Sequence, residues 1–160
     1  MANREALREL QARLASRLQT AKAEGFSISW LAVKNGSFNF LLPLAQSGEI
    51  FPLSNVQVVP YSRSWFMGVV NLRGGLFGVV DLVNFIEGGA PPVRTDQSLS
   101  EASVITLNSA LEINCAVLVE SLAGLRHVEA FSGSEPAPQG APAFFGKRYV
   151  DADGGLWQEI

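Results

Sequence analysis

The strongest constraint on the fold is the stretch of residues 68–82, in which two apolar runs flank the pair Gly74-Gly75. Adjacent glycines supply the positive φ angles that a tight hairpin turn needs. We therefore predict a β-hairpin in which these two glycines form the loop. In that register Val70 lies opposite Val79.

The two faces of this predicted hairpin differ in chemistry. Side chains alternate between the faces of a strand, so one face is expected to be wholly apolar and to enter the core. On the other face, Asn71 and Arg73 are polar and lie near the turn. The predicted core face consists of Val70, Leu72, Phe77 and Val79.

The composition limits the class of protein. With 160 residues, 48% of them hydrophobic, the chain can form one domain or two small subdomains that share a core. The net charge is -3 and the longest basic cluster is Lys147-Arg148, which argues against a nucleic-acid partner. No apolar run approaches the roughly 20 residues of a membrane helix. Residues 1–24 also lack the apolar centre of a signal peptide, so we expect a cytoplasmic protein without direct membrane insertion.

The first part of the chain has a helical period. Within residues 3–24, apolar side chains recur every three or four positions among charged ones, which predicts an amphipathic helix that Gly25 ends. The apolar stripe could pack on the domain, pair with a second copy, or bind a dedicated partner. It consists of Leu7, Leu10, Leu14, Leu18 and Ala21.

Beyond Gly25 the period changes to two, which is typical of strands. A hairpin is predicted around Asn35-Gly36, and a Gly- and Pro-rich break separates the two halves of the chain at residues 88–92. One helix and about nine or ten short strands indicate small barrels or a sandwich. Because the printed chain ends within a predicted strand, we also expect a further element beyond Ile160. The other predictions are strands at 48–51, 55–59, 103–108, 113–119, 144–151 and 156–160, a helical turn at 62–67, a mixed element at 120–131 and a loop at 132–142.

No catalytic constellation has a specific spacing in the sequence. Cys115 and His127 are the only residues of their types, so neither a disulfide nor a structural zinc site can form from them. The glycine-rich hairpin matches neither a dinucleotide fingerprint nor a phosphate loop. A small Cys/His enzyme on a β-barrel remains the competing hypothesis from another class.

Arg73 is a cation within an otherwise apolar hairpin. Burial of an unpaired cation would cost several kcal/mol, so a buried Arg73 needs a carboxylate partner. We predict that Glu49 is this partner. In the alternative, the Arg73 side chain extends from the hairpin end into water.

The segment before the hairpin carries more apolar residues than one face of small strands can bury. An exposed remainder would mark a protein-binding surface, although core packing explains most of these residues. The candidates for such an apolar patch are Phe51, Val58, Phe66 and Met67.

The hairpin sequence Gly68-Val69-Val70-Asn71-Leu72-Arg73-Gly74, followed by Val79-Val80-Asp81-Leu82, resembles the signature of the CheW-like family of chemotaxis adaptors. The resemblance covers residues 26–160, with support from Glu49-Ile50 and Trp65-Phe66. Two positions depart from the family pattern, since Gly78 replaces the usual proline and Glu120 the usual aspartate. The long amphipathic start is similar to the PilI branch, whose members serve the chemosensory system of type IV pili and twitching motility.

This resemblance implies a mainly β fold of two five-stranded, SH3-like barrels around a shared hydrophobic core, with a first subdomain at about 26–87 and a second at about 100–160. It implies a non-catalytic adaptor without a cofactor or metal. Its partners would be the regulatory domain of a CheA-like histidine kinase and the cytoplasmic tip of a chemoreceptor, which would recruit it to membrane arrays. An accessory kinase-binding protein without receptor coupling is the alternative within the family. The implied coupling residues are Glu49, Ile50, Gly68, Asn71, Leu72 and Arg73, and the apolar patch would contact the kinase.

Overall fold

The computed structural model describes residues 29–160. The predicted amphipathic helix of residues 3–24 lies outside the described residues. Within the described part, the chain forms eleven strands, two short α-helices and two 3-10 turns.

Six strands form the first sheet, in which β1 and β2 from the start of the described chain lie among four strands from its end. It runs β8-β1-β2-β11-β10-β9, with every neighbouring pair antiparallel except β2 and β11. The predicted turn at Asn35-Gly36 is confirmed, because Gly36 has a φ of 59° between β1 and β2. The strands are β1 (Ser29–Asn35), β2 (Phe38–Pro43), β8 (Ser121–His127), β9 (Phe131–Glu135), β10 (Arg148–Asp151) and β11 (Leu156–Glu159).

Five strands form the second sheet, in the order β3-β6-β7-β5-β4. Its neighbours are antiparallel except β5 and β7, which are parallel. The connection between β5 and β6 carries both helices, α1 (Leu82–Glu87) and α2 (Asp96–Glu101). The strands are β3 (Ser47–Pro52), β4 (Phe66–Leu72), β5 (Gly75–Val80), β6 (Ser103–Leu107) and β7 (Cys115–Val119).

Three buried clusters explain how the sheets are held together. One lies within the six-stranded sheet around Trp30 and Trp157, and another within the five-stranded sheet around Val79 and Leu118. The third combines strands of both sheets with α1, so the two sheets share a core. The expected mainly β fold with a shared core is therefore confirmed. The members of the shared cluster are Leu31, Val33, Phe40, Leu42, Leu82, Val83, Ile105 and Val119.

The sheets divide the chain differently from the expected boundary near residues 88–100. The six-stranded sheet takes β1 and β2 from before this segment and β8 to β11 from after it. The five-stranded sheet likewise takes β3 to β5 from before it and β6 and β7 from after it. The chain therefore crosses between the sheets twice, from β2 to β3 and from β7 to β8.

The hairpin of β4 and β5 has the predicted faces but a different register. Val70 pairs with Phe77, not with Val79, and the two-residue loop is Arg73-Gly74. Arg73 has a φ of 49° and Gly74 a φ of 80°, so both loop residues adopt the positive φ angles of the tight turn. From Gly68 to Leu72, the partner of each β4 residue is two positions earlier in β5 than predicted. Because side chains alternate with a period of two, this shift leaves the same side chains on each face. Val70, Leu72 and Val79 are accordingly buried, and Phe77 packs against their cluster.

Several smaller predictions were wrong. Residues 55–59 are not a strand and make only an isolated bridge between Gln57 and Val69. The predicted loop at 132–142 overlaps β9, which forms because its backbone pairs with β10. Residues 62–65 contain turns instead of a helix, and both helices between β5 and β6 were missed.

Candidate partner-binding surface

The predicted partner of Arg73 is the one found in the structure. The guanidinium Nη1 lies 2.7 Å from the Glu49 carboxylate, and the side chains are 73% and 55% exposed, respectively. The guanidinium also lies over the Phe51 ring, 5.6 Å from its centroid. The ion pair is thus confirmed, and the alternative also holds, because the Arg73 side chain extends from the hairpin tip into solvent.

Asn71 shapes the loop that presents Arg73. Its Oδ1 accepts a hydrogen bond from the backbone N–H of Gly74 at 3.0 Å, which closes the turn. The Asn71 side chain is exposed, whereas its neighbour Leu72 is buried and 6% exposed. Asn71 can therefore contact a partner directly, and Leu72 can act only through the core.

Gly68 brings a second chain segment against the hairpin. It has a φ of 140°, and a Cβ at this position would overlap the backbone carbonyl of Gln57. The space is needed because Gln57 and the adjacent Val69 exchange two backbone hydrogen bonds, of 2.8 and 2.9 Å. Gly68 is buried, so it supports the surface without forming part of it.

The predicted apolar patch is only partly exposed. Val58 is 73% exposed, but Phe51 and Met67 are half-buried and pack against the core of the five-stranded sheet. Phe66 is also half-buried and makes an edge contact with the Trp65 ring. The exposed apolar side chains of this region include Val58, Ile50, which follows Glu49 and is 45% exposed, and Leu76, which pairs with Asn71 and is 59% exposed.

A second apolar surface was missed in the sequence. The rings of Trp65, Phe85 and Phe144 form a continuous row, with centroids 5.1 and 5.8 Å apart. Phe85 and Phe144 are each 43% exposed. Residues this far apart in sequence give no local periodic signal, so only the fold brings them together. We refer to these three residues as the aromatic row.

An apolar groove adjoins the aromatic row at the junction of the two sheets. Its volume is about 160 Å³, and Phe144 lines it together with residues from both sheets. Such a groove can take up one or two apolar side chains of a partner. The other apolar lining residues are Leu42, Pro43, Leu82, Ile105, Leu107, Val117 and Ile160.

The structure does not bring together the two residues of the competing enzyme hypothesis. Cys115 lies on β7 beside Gly78 in the five-stranded sheet, and burial raises the pKa of its thiol. His127 lies on β8 in the other sheet, where its Nδ1 is 2.8 Å from the Ser29 hydroxyl. A thiol with a raised pKa is a poor nucleophile at neutral pH. This geometry gives a Cys–His dyad no support.

Metal-ligating side chains and long apolar helices bear on the class of protein. Within residues 29–160, no three His, Cys, Asp or Glu side chains are placed to share a metal ion. No helix in the same part of the chain is both long and apolar enough to span a membrane. The exposed ion pair and the two apolar areas are features of a protein-interaction surface.

Comparison with known proteins identifies the family. The CheW-like domain matches residues 29–158, so the chain belongs to the CheW-like family. Protein PilI from Pseudomonas aeruginosa is 25% identical over 126 residues, which cover 79% of this chain and 67% of that protein. The crystal structure of the scaffolding protein TtCheW from Thermoanaerobacter tengcongensis has the same fold, with a TM-score of 0.68. That similarity covers 84% of each chain at 16% sequence identity.

Proposed function

We propose that this chain is a non-catalytic adaptor that couples a membrane chemoreceptor to a CheA-type histidine kinase. Proteins of the CheW-like family are non-catalytic scaffolds of chemotaxis-type signalling, and the family match over residues 29–158 is the observation that carries the proposal. The separation of Cys115 from His127 in different sheets is consistent with it.

The proposed pathway is the chemosensory system that controls type IV pili and twitching motility. Its support is the similarity to a relative named PilI, together with the amphipathic sequence of residues 3–24 that precedes the domain. In this proposal the adaptor is cytoplasmic and is recruited to membrane receptor arrays through its protein partners.

An adaptor must hold two partners on separate surfaces. The surface around the Glu49–Arg73 pair, with Ile50 and Asn71, is the proposed coupling surface, and Gly68 and Leu72 hold it from beneath. The adjoining apolar patch is the proposed contact with the kinase, where Val58 offers the most exposed side chain and Phe51, Phe66 and Met67 support it.

The aromatic row and the groove beside it offer the second apolar surface. It is formed by other residues than the first and lies at the junction of the two sheets. We assign it to the cytoplasmic tip of the chemoreceptor. Different residues form the two surfaces, which meet where the Phe66 ring contacts Trp65, and in this proposal both partners bind side by side at once, as coupling requires.

Pairwise binding measurements on the full chain test this proposal. The kinase regulatory domain and the receptor tip are each titrated against wild-type protein, Val58→Asp and Phe144→Asp. We expect Val58→Asp to weaken kinase binding selectively and Phe144→Asp to weaken receptor binding selectively, because a charge on an apolar contact must be desolvated. Leu125→Asp is the matched control, since Leu125 is 55% exposed on β8 of the six-stranded sheet and belongs to neither proposed surface.

Each outcome has a defined meaning. Binding of the kinase without the receptor would favour the accessory protein over the adaptor. Absence of binding to both partners by the folded wild-type chain would contradict the proposal.

A further inference from the structure

Arg94, in the connection between α1 and α2, is a buried cation. Its side chain is 9% exposed and contacts two carboxylates. Both terminal nitrogens donate to Asp81, at 2.6 and 3.2 Å, while Nε donates to Glu120 at 2.7 Å. The whole guanidinium fork is thus used, which gives the contact a defined orientation as well as a charge.

Asp81 links this cation to the aromatic row. Its backbone N–H donates to the carbonyl of Trp65 at 2.8 Å, and its carbonyl accepts from the N–H of Phe85 at 2.9 Å. The carboxylate also accepts from the N–H of Asn84 and so caps the first turn of α1. The backbone of Asp81 is therefore bonded to two aromatic-row residues, while its carboxylate is held by Arg94.

Glu120 links the same cation to the six-stranded sheet. It lies between β7 and β8, where the chain passes from one sheet to the other. Its second carboxylate oxygen accepts from the N–H of Gly36 at 2.7 Å, in the turn between β1 and β2. Asn35 strengthens this junction, because it accepts from the N–H of Glu120 and donates to the carbonyl of Leu118.

We propose that Arg94 is a positioning residue that sets the orientation of the two sheets and thereby aligns the aromatic row across their junction. The shared apolar core holds the sheets together without a preferred direction, and the Asn35 side chain joins β1 to the Leu118 carbonyl of β7. The Arg94 fork adds a second directional link by fixing Asp81 on one side and Glu120 on the other. Phe85 and Phe144 then meet with their ring centroids 5.8 Å apart and their planes at 38°. The consequence for receptor binding rests on the proposed adaptor function.

The charge of Arg94 is permanent. Burial by itself lowers the pKa of Arg94, but hydrogen bonds and Coulomb attraction from Asp81 and Glu120 outweigh it, so the pKa is raised overall. Arg94 therefore stays protonated at any physiological pH. The charge of Arg94, and with it the attraction to Asp81 and Glu120, therefore does not change as the guanidinium is exposed to different physiological pH values.

Two conservative variants of the full chain test the proposal. Glu120→Asp keeps the charge and introduces the residue usual in the family, but its shorter side chain cannot reach both Arg94 and Gly36. Arg94→Lys keeps the charge and loses the fork. Glu135→Asp is the matched control, because Glu135 makes an ion pair of the same 2.7 Å length with Arg148, with both side chains partly exposed.

The measurement is the relative orientation of the sheets from residual dipolar couplings of backbone amides in β1 and β2 and in β4 and β5. Wild type and Glu135→Asp should fit one alignment tensor in the present geometry. Glu120→Asp and Arg94→Lys should each leave both sheets intact while changing their relative orientation. An unchanged orientation in both variants would overturn the proposal. So would loss of folding in both, because Arg94 would then be a stability determinant alone.

Receptor binding is measured separately on the same variants. We expect it to weaken about tenfold when the orientation changes, a coupling of ordinary size between distant sites. A wild-type chain that binds no receptor would contradict the adaptor function and leave the orientation result standing. A changed orientation with wild-type receptor binding would limit the role of Arg94 to the fold and overturn its link to the surface.

Discussion

The Glu49 carboxylate lies 2.7 Å from the Arg73 guanidinium, and this contact joins the two edges of the five-stranded sheet. Glu49 belongs to the edge strand β3, and Arg73 follows the opposite edge strand β4. Both side chains are more than half exposed. An exposed ion pair of this kind contributes little to stability, so its charges remain available to a partner.

We predict that Arg73→Ala separates stability from binding. The free energy of unfolding should change by less than about 1 kcal/mol, because water screens the lost ion pair. Binding to the kinase should weaken clearly, because the coupling surface that adjoins the kinase patch loses its cation. Chemical denaturation and titration with each partner measure the two effects.

Arg63→Ala is the control for Arg73→Ala, since Arg63 is exposed and has no ion pair among residues 29–160. It should leave both partner affinities unchanged. Wild-type binding by Arg73→Ala would remove Arg73 from the coupling surface. A large loss of stability would show that the pair is structural instead.

Gly68→Ala should destabilise the domain by about 1–3 kcal/mol, the usual cost of a strained backbone position. The φ of 140° is unfavourable for alanine, and its Cβ would overlap the Gln57 carbonyl. Gly133→Ala is the control, because no atom lies within 4 Å of the added Cβ at that strand position. Thermal unfolding of the two variants gives the comparison, and equal melting temperatures would contradict the assigned role of Gly68.

Cys115 should react slowly with thiol reagents at neutral pH. Burial raises the pKa of its thiol, so little thiolate is present until the pH exceeds the ordinary pKa of cysteine. The rate of iodoacetamide alkylation, compared with that of free cysteine, measures this. Fast alkylation at pH 7 would indicate an activated nucleophile and revive the enzyme hypothesis.

Asp151 should make stability depend on acid pH. The N–H groups of Trp157 and Gly155 donate to its carboxylate and lower the pKa of Asp151. A lowered folded-state pKa stabilises the fold above the unfolded value of about 4, and this contribution is lost as the pH falls through the folded-state pKa.

Asp151→Asn removes the titrating group, so the difference in melting temperature from wild type should shrink below about pH 4. Asp153→Asn, at an exposed carboxylate in the same turn, serves as the control. A difference that stays constant down to about pH 2 would contradict the assignment.

Local sequence patterns predicted the existence and the faces of the hairpins well. They predicted the strand register less well, because the register depends on the three-dimensional fold. The alternation in residues 68–82 identified the buried face, because the period of a strand does not depend on the register. The register itself depends on the Asn71–Gly74 hydrogen bond and on the positive φ of Arg73, and neither is visible in a pattern of apolar residues.

The two arginines show why burial was harder to predict. Arg73 has apolar neighbours in sequence but lies at an exposed tip, whereas Arg94 follows a Gly- and Pro-rich stretch and is buried. Burial of Arg94 depends on carboxylates 13 and 26 residues away, which only the fold brings together. The aromatic row was missed for the same reason.

Simultaneous binding of both partners tests the central claim most directly. The full chain is mixed with the kinase regulatory domain and the receptor tip, and the mass of the complex is measured by analytical ultracentrifugation. We predict a three-component complex that does not form when the chain is omitted. If the two partners instead displace each other from the folded chain, or if either fails to bind it, the adaptor account is contradicted.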